Sequence, residues 1–119
     1  MAYDSGNIFA MILRGDIPCD KIYEDEHALA FNDINPQAPV HALVIPKGEY
    51  VSMTDFSKNA PVELITGFFR AVGETARQLG LEKDGYRLIA NTGDNAHQDV
   101  PHLHFHILSG KKLGPMLSR

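Results

Sequence analysis

His102-Leu103-His104-Phe105-His106-Ile107-Leu108 sets three imidazoles at every second position with apolar residues between them. Period two is strand geometry. Successive side chains leave opposite faces, so His102, His104 and His106 share one face while Leu103, Phe105 and Ile107 share the other. A buried imidazole without a partner costs about 1–3 kcal/mol, and three on one face argue for chemistry rather than for structure alone.

Two chemistries use such a face. In a metal site, imidazoles of a His-x-His pair converge on one ion. With a rise of about 3.3 Å per residue, His102 and His106 stand roughly 13 Å apart, so at most two of the three reach the same ion. The remaining ligands would come from Cys19, His41, His97 or a carboxylate, and no Cys-x-x-Cys or His-Glu-x-x-His spacing supplies them. The expectation is therefore no metal and no other cofactor. In the second chemistry one imidazole attacks phosphorus and leaves again once protonated, which splits one hard substitution into two easier ones. Flanking histidines then hold the non-bridging oxygens or serve the leaving group.

Working outward, a polar loop from Thr92 to Pro101 feeds the histidine strand, and a strand from Tyr86 to Asn91 precedes it after a turn at Asp84-Gly85. Before these, Ile65, Phe68, Phe69, Val72, Ala76 and Leu79 recur at helical spacing. That spacing predicts one long helix, capped by Asn59 or Ser57, with Pro61 in its first turn and Gly80 as its stop. Further upstream, Val40 to Ile45 is an apolar β run that ends at Pro46 and is interrupted by His41, a polar group that needs a partner. Asp33 to Pro39 is a proline-punctuated loop, and 22–25 and 27–32 are strands meeting at Glu24-Asp25-Glu26. Asn7 caps a short helix through Arg14, with Ile8, Phe9, Ile12 and Leu13 as its apolar face and Gly15 as its stop. Hairpin strands followed by one long helix predict an α+β domain with an antiparallel sheet, one face of which the helix covers.

Composition narrows the partners. At 119 residues the chain is expected to form a single domain over 1–119. A net charge of −4 argues against a nucleic-acid surface, although imidazoles and main-chain N–H groups can still hold a nucleotide's phosphates locally. One cysteine, no basic-apolar leader and no apolar run near the ~20 residues that span a bilayer lead to the expectation of a cytoplasmic protein without a membrane partner. Cys19, between Pro18 and Asp20 with no base nearby in sequence, is read as a small semi-buried residue rather than a nucleophile.

The chain resembles the histidine triad (HIT) superfamily, and within it the Hint branch of nucleotide-binding hydrolases. The likeness spans nearly the whole chain. It is carried by Asn7-Ile8-Phe9, by Phe31-Asn32-Asp33-Ile34 through Pro36-Gln37-Ala38-Pro39 to His41 and Val44-Ile45-Pro46-Lys47, by the Asn91 to Gln98 loop, and by His102 to Leu108. It implies the HIT-like fold, a five-stranded antiparallel sheet with a long and a short helix, continued across a homodimer.

It also implies that His104 attacks the α-phosphorus of a nucleoside 5′-phosphoramidate or related conjugate, forming a nucleotidyl-histidine that water then hydrolyses. A main-chain carbonyl would hold Nδ1–H of the nucleophile. His106 would sit by the phosphate oxygens, with His102 and His41 as hydrogen-bonded backing. Asp33 would accept from the ribose hydroxyls, Ile8, Phe9, Ile12, Phe31 and Ile34 would enclose a purine base, and Asn91 and Gln98 would lie near the phosphate and leaving group. His27 matches nothing catalytic.

Three positions depart from the family pattern. Asp99 stands where many relatives carry Ser or Thr, His97 where glycine is common, and the tail Leu113-Gly114-Pro115-Met116-Leu117 lacks the aromatic ending of some relatives. Two rival readings keep the same pocket: a dinucleoside polyphosphate hydrolase, against which the Pro-Gln-Ala-Pro loop weighs, and a nucleotide-sensing or partner-binding module whose turnover is incidental.

Overall fold

The computed structural model describes residues 2–117. In chain order it contains α1 (Ile8–Leu13), β1 (Lys21–Glu24), β2 (Ala28–Asn32), β3 (Val40–Pro46), α2 (Met53–Asn59), α3 (Val62–Gln78), β4 (Arg87–Ile89), a 3-10 turn (Asp94–Ala96) and β5 (Phe105–Ser109). The strands form one antiparallel sheet in the order β1-β2-β3-β5-β4. This is the α+β, five-stranded antiparallel architecture expected from the sequence.

Side-chain size decides which face the long helix takes. In β2 and β3 the residues Ala28, Ala30, Ala42 and Val44 point to one side, where they meet Phe68 and Val72 of α3. Leu29, Phe31, Leu43 and Ile45 point to the other, where they meet Phe9 of α1. Methyl-sized side chains let α3 settle close to the sheet, and its 17 residues bury Phe68, Ala71, Val72, Thr75 and Ala76. The register carries the division into β5. Ile107 lies opposite Ala42 on the helix face, and His106 lies opposite Leu43 on the other. At the β1–β2 turn His27 packs on Gly67 of α3, where a Cβ would collide with the imidazole.

Local chemistry accounts for the ends. The Asn7 side chain accepts from the N–H groups of Phe9 and Ala10 and so caps α1, and Gly15 follows its last turn at φ 80°. The Asp25 carboxylate accepts from the N–H groups of His27 and Ala28 at the hairpin turn.

Four expectations are corrected. Ser57 and Asn59 do not cap α3: they belong to α2, a separate helix that buries Phe56, and Pro61 is the residue before the first turn of α3. The strand at 86–91 is only Arg87–Ile89. The loop to Pro101 contains the 3-10 turn. Finally, His102, Leu103 and His104 precede β5 rather than belonging to it, because the N–H of Leu103 donates to Tyr50 O (2.8 Å), outside the sheet.

Candidate active site

His104 is almost fully buried and stands edge-on to Phe9, with ring centroids 4.9 Å apart. Its Nδ1 lies 2.7 Å from the main-chain oxygen of His102. A carbonyl oxygen only accepts, so Nδ1 carries the proton and Nε2 of the neutral ring holds the lone pair. This is the tautomer a nucleophilic imidazole needs.

The proton positions of the neighbouring pair follow by the same logic. The N–H of Gln37 donates to Nδ1 of His41 (2.9 Å), which leaves the His41 proton on Nε2. That Nε2–H points at Nδ1 of His106, 2.9 Å away, with Asp33 Oδ2 at 3.4 Å on its flank. His106 must then carry its own proton on Nε2, free to donate. Desolvation holds His41 below the ordinary imidazole range, with the Asp33 charge opposing it. Desolvation, reinforced by His104 and His41, pushes His106 down to about 4. Both rings are neutral at pH 7, so the His41–Asp33 contact is a dipole beside a charge rather than an ion pair. The polar interruption of β3 thus has its partners.

His102 is fully buried and works as backing. Its Nε2–H donates to Pro46 O (3.1 Å), the strand end beyond the last β3–β5 pair, and the Tyr3 hydroxyl donates to its Nδ1. Burial pushes it down to about 4 against the pull of the Pro46 carbonyl. Tyr3 was missed in the sequence reading. It is separated from His102 by 99 positions, and nothing in its local sequence marks it.

Beside these rings lies a cavity of about 240 Å³. His104, His106, Asp33 and Asp99 line its polar part. Ile8, Phe9, Ile12, Phe31 and Ile34, all expected on an apolar wall, do line it, and Leu43 and Val100 add to them. Ile8 is 45% and Ile34 86% exposed, large apolar groups left uncovered at the opening. Ile17, Pro18, Cys19 and the hydrogen-bonded pair Asp20–Asn32 close another side and were not anticipated there, Cys19 having been read only as semi-buried.

Asn91 and Gln98 are not brought to the cavity. The Gln98 amide is spent on bracing its loop: Nε2 donates to Val51 O (2.7 Å), outside the loop, and to Val100 O (3.1 Å), and Oε1 accepts from Gly93 N–H (3.0 Å). His97 adopts left-handed backbone, φ 56° and ψ 47°, a conformation that glycine takes without cost and other residues only with strain. Asp33 also braces its loop, since Oδ1 accepts from Asn35 N–H (2.8 Å).

Among the described residues, donor atoms of Asp33, His41 and His106 lie within 4.8 Å of one another, the one group there with metal-ligand spacing. It takes a single imidazole from the His-x-His-x-His run. Gln37, His41 and His106 form a continuous donor–acceptor chain that by itself accounts for these positions.

The HIT domain pattern matches residues 14–113. The chain belongs to the HIT family. It is 60% identical over 117 residues to an uncharacterized 13.2 kDa HIT-like protein of Azospirillum brasilense, covering 98% of this chain and 96% of that one. It is 41% identical over 111 residues to the purine nucleoside phosphoramidase of Escherichia coli K12, covering 93% and 92%. The solved structure of a HIT family hydrolase from Clostridium thermocellum superposes with a TM-score of 0.86 at 37% identity, over 97% of this chain and 99% of that one. The sheet and helices described above are the HIT fold.

Proposed function

We propose that this HIT protein hydrolyses the P–N bond of purine nucleoside 5′-phosphoramidates through a nucleotidyl-His104 intermediate. The observation that carries the reading is the pair of tautomers. A lone pair on His104 Nε2 and a proton on His106 Nε2 share one cavity, with ring centroids 5.1 Å apart. His104 Nε2 attacks the α-phosphorus in line with the leaving nitrogen. A P–Nε2 bond forms, the P–N bond breaks, and the nitrogen takes a proton from solvent and departs as an amine. Water then attacks phosphorus, the electron pair of the P–Nε2 bond returns to His104, and the water's proton passes to solvent with the nucleoside monophosphate. His106 keeps its proton and donates to a non-bridging oxygen in both steps, as a preorganised donor in a largely dry site.

The apolar wall suits a flat base, which would cover the exposed Ile8 and Ile34. The purine and the amine leaving group rest on the Escherichia coli relative's name. Ribose recognition is assigned to Asp33, whose carboxylate retains accepting capacity beyond Asn35. The protein acts in the cytoplasm as a homodimer in this reading. Among the described residues β4 pairs only with β5 and presents a free edge, and Tyr86 and Leu88 there are 40% and 43% exposed.

The test is an assay of adenosine and guanosine 5′-phosphoramidates beside a diadenosine polyphosphate. Mass spectrometry of quenched wild type is expected to find a nucleotidyl adduct on His104. His104→Ala should lose at least about 10⁴-fold in turnover, the scale on which deleting a nucleophile acts, while still binding nucleoside monophosphate. Wild-type rates in the alanine variant, or faster cleavage of the polyphosphate, would overturn the reading.

A further inference from the structure

Among the described residues, three carboxylates and no Lys or Arg line the cavity in which a phosphate is proposed to react. Two of the carboxylates have local work. Asp20 accepts from Asn32 Nδ2 (2.9 Å), and Asp33 accepts from Asn35 N–H and flanks His41. Among the described residues Asp99 makes no hydrogen bond or ion pair, yet it lines the same cavity as His104 and His106, and its charge acts on His106. Its position is not incidental to a loose loop. The preceding residue, Gln98, ties the segment to Val51, Gly93 and Val100, and the N–H of Gln98 donates to Gly93 O.

An uncompensated carboxylate beside a phosphate-binding imidazole repels every added negative charge on the ligand. It attracts positive charge developing there, and it stabilises the protonated form of a basic group next to it. The P–N bond supplies such a group. Its nitrogen must be protonated to leave as an amine, whereas an oxygen leaving group departs neutral or anionic. We infer that Asp99 is a specificity-determining residue that favours leaving groups departing through a protonated nitrogen over oxygen leaving groups and over further phosphates. The inference rests on the phosphoramidate reading above and adds to it a residue that sets the class of leaving group. No proton need move to Asp99 itself: solvent protonates the nitrogen, the P–N bond breaks as P–Nε2 forms, and the carboxylate favours the cationic form throughout.

The test compares kcat/KM for two substrates sharing an adenosine 5′-phosphoryl group, one with a basic alkylamine leaving group and one a p-nitrophenyl ester. Wild type, Asp99→Asn and Asp99→Ser are measured at low and high salt. The amine-to-aryl ratio is expected to fall about tenfold in both variants, a modest effect because an exposed carboxylate is screened. Added salt should lower the ratio in wild type and not in the variants, and AMP should bind more tightly to both variants. An unchanged ratio with unchanged AMP affinity overturns the role of Asp99 and leaves the phosphoramidase reading standing. If wild type cleaves neither substrate, that reading falls and the inference falls with it.

Discussion

The two faces of the sheet differ in what covers them, and that difference creates the site. On one face the 17-residue α3 lies over Ala28, Ala30, Ala42 and Val44, and aromatic rings run in edge-to-face contact from Tyr50 through Phe56 and Phe68 to Phe105, centroids 5.1–5.6 Å apart. On the other face the covering helix, α1, has six residues and places Phe9 over Phe31. Larger sheet residues meet a shorter cover, so space remains between Phe9, Leu43 and the histidines. The same β5 strand serves both faces, sending Ile107 into the packed side and His106 into the open one. The packed face supplies stability, and the histidines on the open face are free to be chosen for chemistry.

That division predicts separable effects. Phe68→Ala, deleting a fully buried ring from the helix face, should destabilise the fold by about 3–5 kcal/mol in urea unfolding. The kcat/KM of the folded fraction should stay near the wild-type value. Were the rate to fall along with stability, the two faces would be one mechanical unit and the comparison would fail.

The open face has its own signature, in pH. His102 and His106 are held at about 4 by burial, against 6.5 for the unperturbed group. Between those values the unfolded chain binds more protons than the folded one, so stability rises with pH. The contribution is fully present above about 6.5 and is lost as pH falls toward and through about 4. For the fully buried His102 it amounts to roughly 3 kcal/mol. Urea midpoints of wild type should therefore fall steeply from pH 7 to 4. Phe68→Ala should lower the whole curve without changing its slope, and midpoints that stay flat from pH 7 to 4 in both proteins would remove the histidines from the stability of this face.

How far each face could be read beforehand follows from where its information sits. β2, β3 and α1 were legible because their signals are local: two apolar runs, and an Asn7 cap before Ile8-Phe9. The triad was legible as a candidate site because imidazoles at period two have no cheap structural use. The start of β5 was not. Alternation continues back to His102, but the main chain at Leu103 has already turned to Tyr50, and sequence period cannot report a hydrogen-bond partner more than 50 residues away. α2 was hidden for another reason. Thr54, Asp55, Ser57 and Asn59 are weak helix formers, and Phe56 is the one residue of the helix that is fully buried, so the segment read as the cap of α3. In Gln98 the residue type was right for a ligand contact, and the tertiary structure spent it on the loop instead.

Within the open face, Asp33 tests whether a loop brace also binds. Asp33→Ala should weaken nucleotides with a full ribose by about 1.5–3 kcal/mol more than 2′,3′-dideoxy analogues, the worth of a hydrogen bond to a charged group. Isothermal titration of the matched ligands measures the difference. Equal losses would confine the carboxylate to Asn35 and His41, and would move ribose recognition elsewhere in the cavity.

The smallest effect concerns the rim. His97, exposed and at φ 56°, is held in a conformation that costs a side chain about 1–2 kcal/mol. Replacing it by glycine removes that strain but adds roughly 0.4–1 kcal/mol of unfolded-chain entropy. The two terms leave His97→Gly more stable by about 0.8 kcal/mol at the middle of both ranges and by about 1.6 kcal/mol at most, a small upward shift in Tm. Because the Gln98 amide fixes the loop independently of the His97 side chain, the amine-to-aryl preference assigned to Asp99 should survive the change. A destabilised His97→Gly would mean that the imidazole makes contacts worth more than its strain. A stable variant with an altered leaving-group preference would mean that His97 reaches the substrate, and the rim of the open face would then be chemical as well as structural.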